Sequence, residues 1–248
     1  MHLLTKAAGL GARWEIVCCL TSEPSFDDEA SVAPSGVPVV HHPRRQFYAD
    51  RDPQARLRDM RVREEYDRRT VDLLGPYRPD VVLLAGYLLL LTEPMLSAFP
   101  DRIVNVHHAD LLLRDSSGGP RYPGLRAVRD AILAGEVETR TTAHIVNAQL
   151  DGGVPLVVSE PFPVSELAIR ALAEGENARD LLRQEIRAHE NRMLDTSFGP
   201  VMARALDLLS NARCASSPPS AVRRGGSSDP PGAAKTADPP YVPETLAS

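Results

Sequence analysis

Apolar residues in this chain gather in short uninterrupted runs, separated by charged stretches with a helical repeat. Residues 14–20 form the first such run, closed by Thr-Ser-Glu-Pro, and predict a buried strand; residues 37–40 predict a second. Residues 54–75 carry a charged helical pattern that stops at Leu74-Gly75-Pro76. Residues 79–86 are continuously apolar after Asp80, as strands buried on both faces of a parallel sheet are. Thr92-Glu93-Pro94 opens a helix, with a hydroxyl cap followed by an acid and a proline in the first turn. Residues 102–108 predict the next strand, and residues 124–135 an amphipathic helix closed by glycine. Residues 141–146 and 155–158 predict two more strands, and residues 166–208 helix with one break near Gly175-Glu176-Asn177. This alternation predicts an α/β fold built on a doubly wound, mostly parallel sheet, with antiparallel additions near its C-terminal edge.

Composition narrows the picture. From Asn211 onward the chain turns to Pro, Ser, Gly and Ala, too few bulky apolar groups to offset the entropy of ordering them. The reading is one domain over residues 1–208 and a disordered tail over 209–248. At 43% hydrophobic and 25% charged residues, the 248-residue chain has the make-up of an ordinary globular protein. A net charge of −5 supplies no basic field for nucleic acid. The longest apolar stretch, residues 81–91, is broken by Gly86 and falls short of the roughly 20 residues a bilayer demands, so no membrane partner is expected. Three cysteines, two of them adjacent (Cys18, Cys19), make neither a disulfide framework nor a zinc knuckle. With no signal-peptide run at the start, the expected compartment is the reducing cytoplasm. Oligomeric state is not legible.

Candidate chemistry appears where strands end in polar groups. Asn105 and His107 alternate with Val106 and therefore share a strand face. A second strand carries His144 and runs into Asn147-Ala148-Gln149-Leu150-Asp151-Gly152-Gly153. An Asn and a His side by side are costly to bury unless hydrogen-bonded or functional, and residue types alone leave both readings open. His107, His108, Asp110 and His144 have the right donor atoms for a metal, but adjacent strand histidines point to opposite faces, so no metal is expected. Ser116-Ser117-Gly118-Gly119 lacks the strand–turn–helix setting of a nucleophilic serine, and Cys18 and Cys19 read as packing residues.

The runs at residues 80–87, Asn105-Val106-His107, Tyr122-Pro123-Gly124, residues 142–146 and Leu150-Asp151-Gly152-Gly153 together resemble the formyltransferase family, in order and spacing, over residues 14–163. The most similar branch is the folate-dependent one of purine biosynthesis. The resemblance implies a Rossmann-type fold and transfer of a formyl group from 10-formyltetrahydrofolate to an amine, glycinamide ribonucleotide in that branch, with small molecules as partners and no metal. Carried over by position, it implies Asn105, His107 and Asp151 as the catalytic triplet. It implies Leu88, Leu89, Leu90 and Leu91, together with Asn147, Ala148, Gln149 and Leu150, as the pterin-binding segments, with His144 buried beside them. It further implies Arg63 near the substrate phosphate and Glu190 near the substrate amine. Asn105 can donate to a developing oxyanion, His107 can carry charge and deliver a proton, and Asp151 can hold His107 charged and take the proton of the attacking amine.

Four departures accompany the resemblance. The family's first strand and its phosphate-cradling glycine loop have no counterpart here, and that strand would be internal to the sheet. The family's His-Pro-Ser stretch is His107-His108-Ala109-Asp110, with extra residues 115–119. Leu89 stands where the family has a folate-contacting arginine. The pair His107-His108 is closer to the deformylase branch, which passes the formyl group to water. Formyl transfer to an amine, formyl hydrolysis or transfer to a different amine, and folate binding without catalysis are the three readings carried forward.

Overall fold

A computed structural model describes residues 14–24, 36–52, 54, 56, 59–87, 89–216 and 244–245. Two short strands come first, β1 (Cys19–Thr21) and β2 (Val39–His41), followed by α1 (Arg44–Arg51) and α2 (Met60–Leu74). The chain continues through β3 (Val82–Leu84), α3 (Glu93–Ala98), β4 (Ile103–His107) and α4 (Ala127–Leu133). Then come β5 (Glu138–Thr139), β6 (Thr142–Ile145), β7 (Pro155–Val158), β8 (Phe162–Pro163), α5 (Glu166–Glu174) and α6 (Arg179–Ser216), with β9 at Glu244–Thr245. The expected α/β architecture is present: β1–β2, β3–β4 and β7–β9 pair in parallel. The expected antiparallel additions are β6 against β4 and β7 against β6.

Local chemistry sets the boundaries. The helix expected from residue 54 starts at Met60 because the Asp59 carboxylate accepts the N–H groups of Arg61 at 3.0 Å and Val62 at 3.2 Å, capping two orphan donors. It stops where expected, at Gly75-Pro76, and Arg78 takes a left-handed φ of 47° as the chain turns into β3. The strands expected over 14–20, 79–86 and 102–108 are shorter, because only β1, β3 and the five residues of β4 find a laddered neighbour. Helix α6 runs through the boundary expected at residue 208 and on to Ser216, and Glu244–Thr245 adds a strand to β7 from within the sequence read as a tail. The remainder of that tail lies outside the described residues.

Strand β4 divides its side chains between two layers. Val104 and Val106 face α6, packing with Ala143, Ile145, Val157, Phe198, Val201 and Met202. Ile103 faces the other layer with Leu74, Leu91, Met95 and Phe99. Asn105 and His107 follow Ile103 by two and four residues, so they rise on the α2–α3 side of the sheet.

Among the described residues, no strand joins β1 to β3. These strands belong to separate sheets and stand across a cavity of about 920 Å³, lined also by Tyr66 and Leu74 of α2 and by Met202, Leu206 and Leu209 of α6. The resemblance placed an internal strand ahead of Trp14; residues 1–13 are outside the described ones. None of Asn105, His107, His144 or Asp151 lines this cavity.

Candidate active site

The site assembles at the C-terminal end of β4. Antiparallel pairing sets Asn105 directly opposite His144 and His107 opposite Thr142. Asn105 Nδ2 lies 3.4 Å from His144 Nε2. His144 Nδ1 is 3.0 Å from the carbonyl oxygen of Ile145, which can only accept, so Nδ1 carries the proton and Nε2 takes the Asn105 amide. Burial pushes the His144 pKa down from its ordinary value, against the nearby Asp151 carboxylate, and keeps the ring neutral.

Asp151 joins the two histidines. Its Oδ2 stands 3.7 Å from His107 Nδ1 and its Oδ1 3.7 Å from His144 Nε2, with all three side chains nearly closed off from water. Its backbone has a φ of 50°, in the left-handed region that few side chains other than Asn and Asp enter readily. The two glycines that follow are not equivalent. A Cβ at Gly153 would fall 1.6 Å from the carbonyl oxygen of Ile145, whereas the atoms nearest to one at Gly152 belong to the Gln149 side chain, at 2.5 Å. Gly153 thus lets the turn lie flat against β6 and delivers Asp151 to the end of β4.

A third segment orients both reactive groups through its backbone. Tyr122 O accepts from His107 Nε2 at 3.0 Å, and Gly124 N donates to Asp151 Oδ2 at 2.7 Å. His107 is thereby held with Nδ1 toward the carboxylate. Gly124 has a φ of 79°, which explains the glycine. These two backbone roles were not assigned from the sequence, where Tyr122-Pro123-Gly124 counted only as a matching fragment. The extra residues before it form a hairpin: Arg114 and Pro120 bridge antiparallel, and the Asp115 carboxylate accepts from the N–H groups of Ser117 at 2.8 Å and Gly119 at 2.9 Å.

His108 goes to the opposite side of the sheet, as strand alternation predicts. Its Nδ1 is 3.2 Å from Thr141 Oγ1, and its ring sits 6.1 Å from that of Phe198 on α6. Burial, with His107 next to it, lowers its pKa to about 4, so it is neutral near pH 7.

The other expected residues are distributed as follows. Asn147, Ala148, Gln149 and Leu150 form an exposed loop leading into Asp151, and Val146 at its head packs in the same apolar cluster as Leu91. The two segments expected to hold a pterin are therefore neighbours. Leu90 is 46% exposed and Leu89 half-buried, but the Leu91 side chain is in the core with Met95 and Phe99, so it offers a ligand only its backbone. Leu88 lies outside the described residues.

Arg63 departs from the expectation of a phosphate ligand. It is fully buried, and its Nη2 is 2.7 Å from Asp67 Oδ1, so a carboxylate already holds the charge that a phosphate would need. Its Nη1 is buried without a hydrogen-bond partner among the described residues. Glu190 sits half-buried on α6 and shares none of the contacts that join the triplet; burial raises its pKa, with Arg187 opposing. The adjacent His189 is bound to Thr139 at 2.7 Å and to Arg192 at 2.9 Å, near β5 rather than the end of β4. Among the described residues, no group of three or more His, Cys, Asp or Glu side chains is arranged to hold a metal ion.

Comparison with known proteins adds to this geometry. The formyl transferase family matches residues 3–174. The chain is 37% identical over 102 residues to phosphoribosylglycinamide formyltransferase of Escherichia coli K12, a match covering 41% of this chain and 44% of that protein. It is 30% identical over 150 residues to formyltetrahydrofolate deformylase of the same organism, covering 60% of this chain and 47% of that protein. The chain thus spans about half the length of the curated relatives it matches. Among solved structures, glycinamide ribonucleotide transformylase 1 from Symbiobacterium toebii superposes with a TM-score of 0.59 at 24% identity, over 85% of this chain and 81% of that one. A formyltetrahydrofolate deformylase from Pseudomonas syringae superposes with a TM-score of 0.56 at 21% identity, over 85% of this chain and 57% of that one. At such identities the structural likeness speaks for the fold alone.

Proposed function

This chain belongs to the formyl transferase family, and we propose that it moves the formyl group of 10-formyltetrahydrofolate onto an amine, with glycinamide ribonucleotide as the acceptor. The observation that carries the reading is the convergence of Asn105, His107 and Asp151, with the carboxylate 3.7 Å from the rings of both His107 and His144.

Each residue then has a defined task. The amine nitrogen attacks the formyl carbon, and the carbonyl oxygen becomes an oxyanion. The Asn105 amide has a second N–H beyond the one directed at His144, and it donates that to the oxyanion. Asp151 takes the proton that the attacking nitrogen loses. His107, held by Tyr122 O on one side and facing the carboxylate on the other, supplies positive charge and returns a proton to the folate nitrogen as the tetrahedral intermediate collapses. One proton leaves the amine and one reaches the leaving nitrogen, and Asp151 then passes its proton to His107, which it faces at 3.7 Å, so both groups return to their starting states. The formyl donor would lie between residues 89–91 and 147–150, which border the same apolar cluster through Leu91 and Val146.

A second reading, hydrolysis of the formyl folate, is favoured by the match to the Escherichia coli deformylase and by the His107-His108 pair. A hydrolase must seat a water where the amine would stand, and a transferase must exclude it. The deciding measurement is consumption of 10-formyltetrahydrofolate by the full chain with and without glycinamide ribonucleotide. Transfer requires that consumption depend on the acceptor. An equal rate without it assigns the chain to hydrolysis, and binding of folate with no consumption in either condition excludes both this acceptor and hydrolysis.

A further inference from the structure

The backbone over residues 85–87 and 89–92, to which the pterin would be apposed, belongs to neither β3 nor α3. A buried charge pair on α2 fixes it. Arg63 and Asp67, one helical turn apart, are 2% and 0% exposed. From this pair the segment is gripped at three places. Arg63 Nε donates to Leu90 O at 3.1 Å, and its Nη2 donates to the Tyr87 hydroxyl, whose pKa burial raises to about 12. Asp67 Oδ2 accepts both the N–H and the hydroxyl of Thr92, each at 2.7 Å. Thr92 was expected to cap its own helix, but its side chain makes no cap to α3 and is committed to Asp67 instead.

A charge pair so fully removed from water adds little to stability on balance, because the desolvation cost offsets the attraction. It does fix geometry. Leu90 turns outward and Leu91 inward on either side of the carbonyl that Arg63 holds, so the grip decides which atoms the segment presents. The guanidinium is also flanked by the Tyr66 and Tyr87 rings, 5.1 and 5.3 Å from their centroids, which leaves it little room to swing.

We infer that Arg63 and Asp67 are positioning residues for the folate-binding segment, acting through the backbone of Leu90 and Thr92 on donor affinity rather than on the chemical step. The inference rests on the folate reading above. Asp67→Asn would leave Arg63 charged and unpaired in the interior and would endanger folding. Thr92 therefore carries the test. Thr92→Val keeps the shape and removes the hydroxyl; Thr92→Ser keeps the hydroxyl. Calorimetric binding of tetrahydrofolate to the full chain should weaken roughly tenfold in Thr92→Val and stay within about twofold of wild type in Thr92→Ser. The KM for the formyl donor should rise in the valine variant with kcat nearly unchanged, a split that a merely structural loss of folded protein does not produce. If Thr92→Val lowers the Tm but binds tetrahydrofolate as tightly as wild type, the inference fails and the folate reading stands. If wild type does not bind tetrahydrofolate, the folate reading fails and takes the inference with it.

Discussion

Replacing Asp151 with asparagine removes a charge while leaving the shape of the turn. Asparagine tolerates the left-handed φ of 50° that this position adopts, and its amide oxygen can still accept from Gly124 N. The fold should therefore survive. What disappears is the attraction between the carboxylate and a protonated His107 at 3.7 Å. At an effective dielectric constant of about 20, Coulomb attraction at that distance has a ceiling of about 4 kcal/mol, which sets an upper bound of roughly three decades in rate from charge alone. Partial expression, offset by loss of the proton acceptor, places the expected fall in turnover between about 10²- and 10⁴-fold. The assay is the initial rate of tetrahydrofolate formation from 10-formyltetrahydrofolate with saturating amine acceptor, alongside circular dichroism and a melting curve. A variant that melts like wild type and turns over within about fivefold of it would refute the acid–base role of Asp151, because loss of a positioned proton acceptor typically costs at least about 10²-fold.

Two more outcomes follow from the same geometry. Gly153→Ala should cost about 3 kcal/mol, since its Cβ would fall 1.6 Å from the Ile145 carbonyl oxygen, whereas Gly152→Ala should cost less, because its nearest neighbours belong to the Gln149 side chain and not to the backbone; paired urea melts rank the two. Stability should fall as pH drops from 6.5 toward 4, because His108 has a folded pKa of about 4 and the unfolded chain takes up its proton first. The loss attributable to His108 is at most about 3 kcal/mol, is complete near the folded value, and should shrink in His108→Gln; Tm measured across that window checks it.

Strand alternation was enough to put Asn105 and His107 on one face, but residue types left open whether that pair was structural or reactive, and the link to Asp151 came from the family resemblance alone. The antiparallel pairing that sets His144 opposite Asn105 was expected only in outline, since register depends on neighbours that no local pattern encodes. The backbone roles of Tyr122 and Gly124 left almost no trace, because every residue has a carbonyl and nearly every one an N–H; the single sign was a glycine held at a φ of 79°. Arg63 misled for a different reason. Its helix is crowded with solvated arginines, and nothing in their spacing separates the one that turns inward to Asp67. Helix α1 also escaped notice: its eight residues, with three arginines and one acid, lack an apolar stripe, and it docks chiefly through Tyr48. At the far end, composition shifted before structure did, and α6 carried on for eight residues past the expected boundary.

The hairpin at residues 114–120 bears on how this active site can change. Its stem is pinched shut at Arg114 and Pro120, and its tip is tied to itself through Asp115. The groups that hold His107 and Asp151 come only afterwards, at Tyr122 and Gly124. Length added or lost between the pinch points need not shift Tyr122 or Gly124, which follow the stem in sequence. The tip instead meets the other side of the site through Gly119, which lies beside Gln149 in the loop before Asp151, so a change of hairpin length would be felt first by the residues that flank the cleft and only then by the reacting atoms.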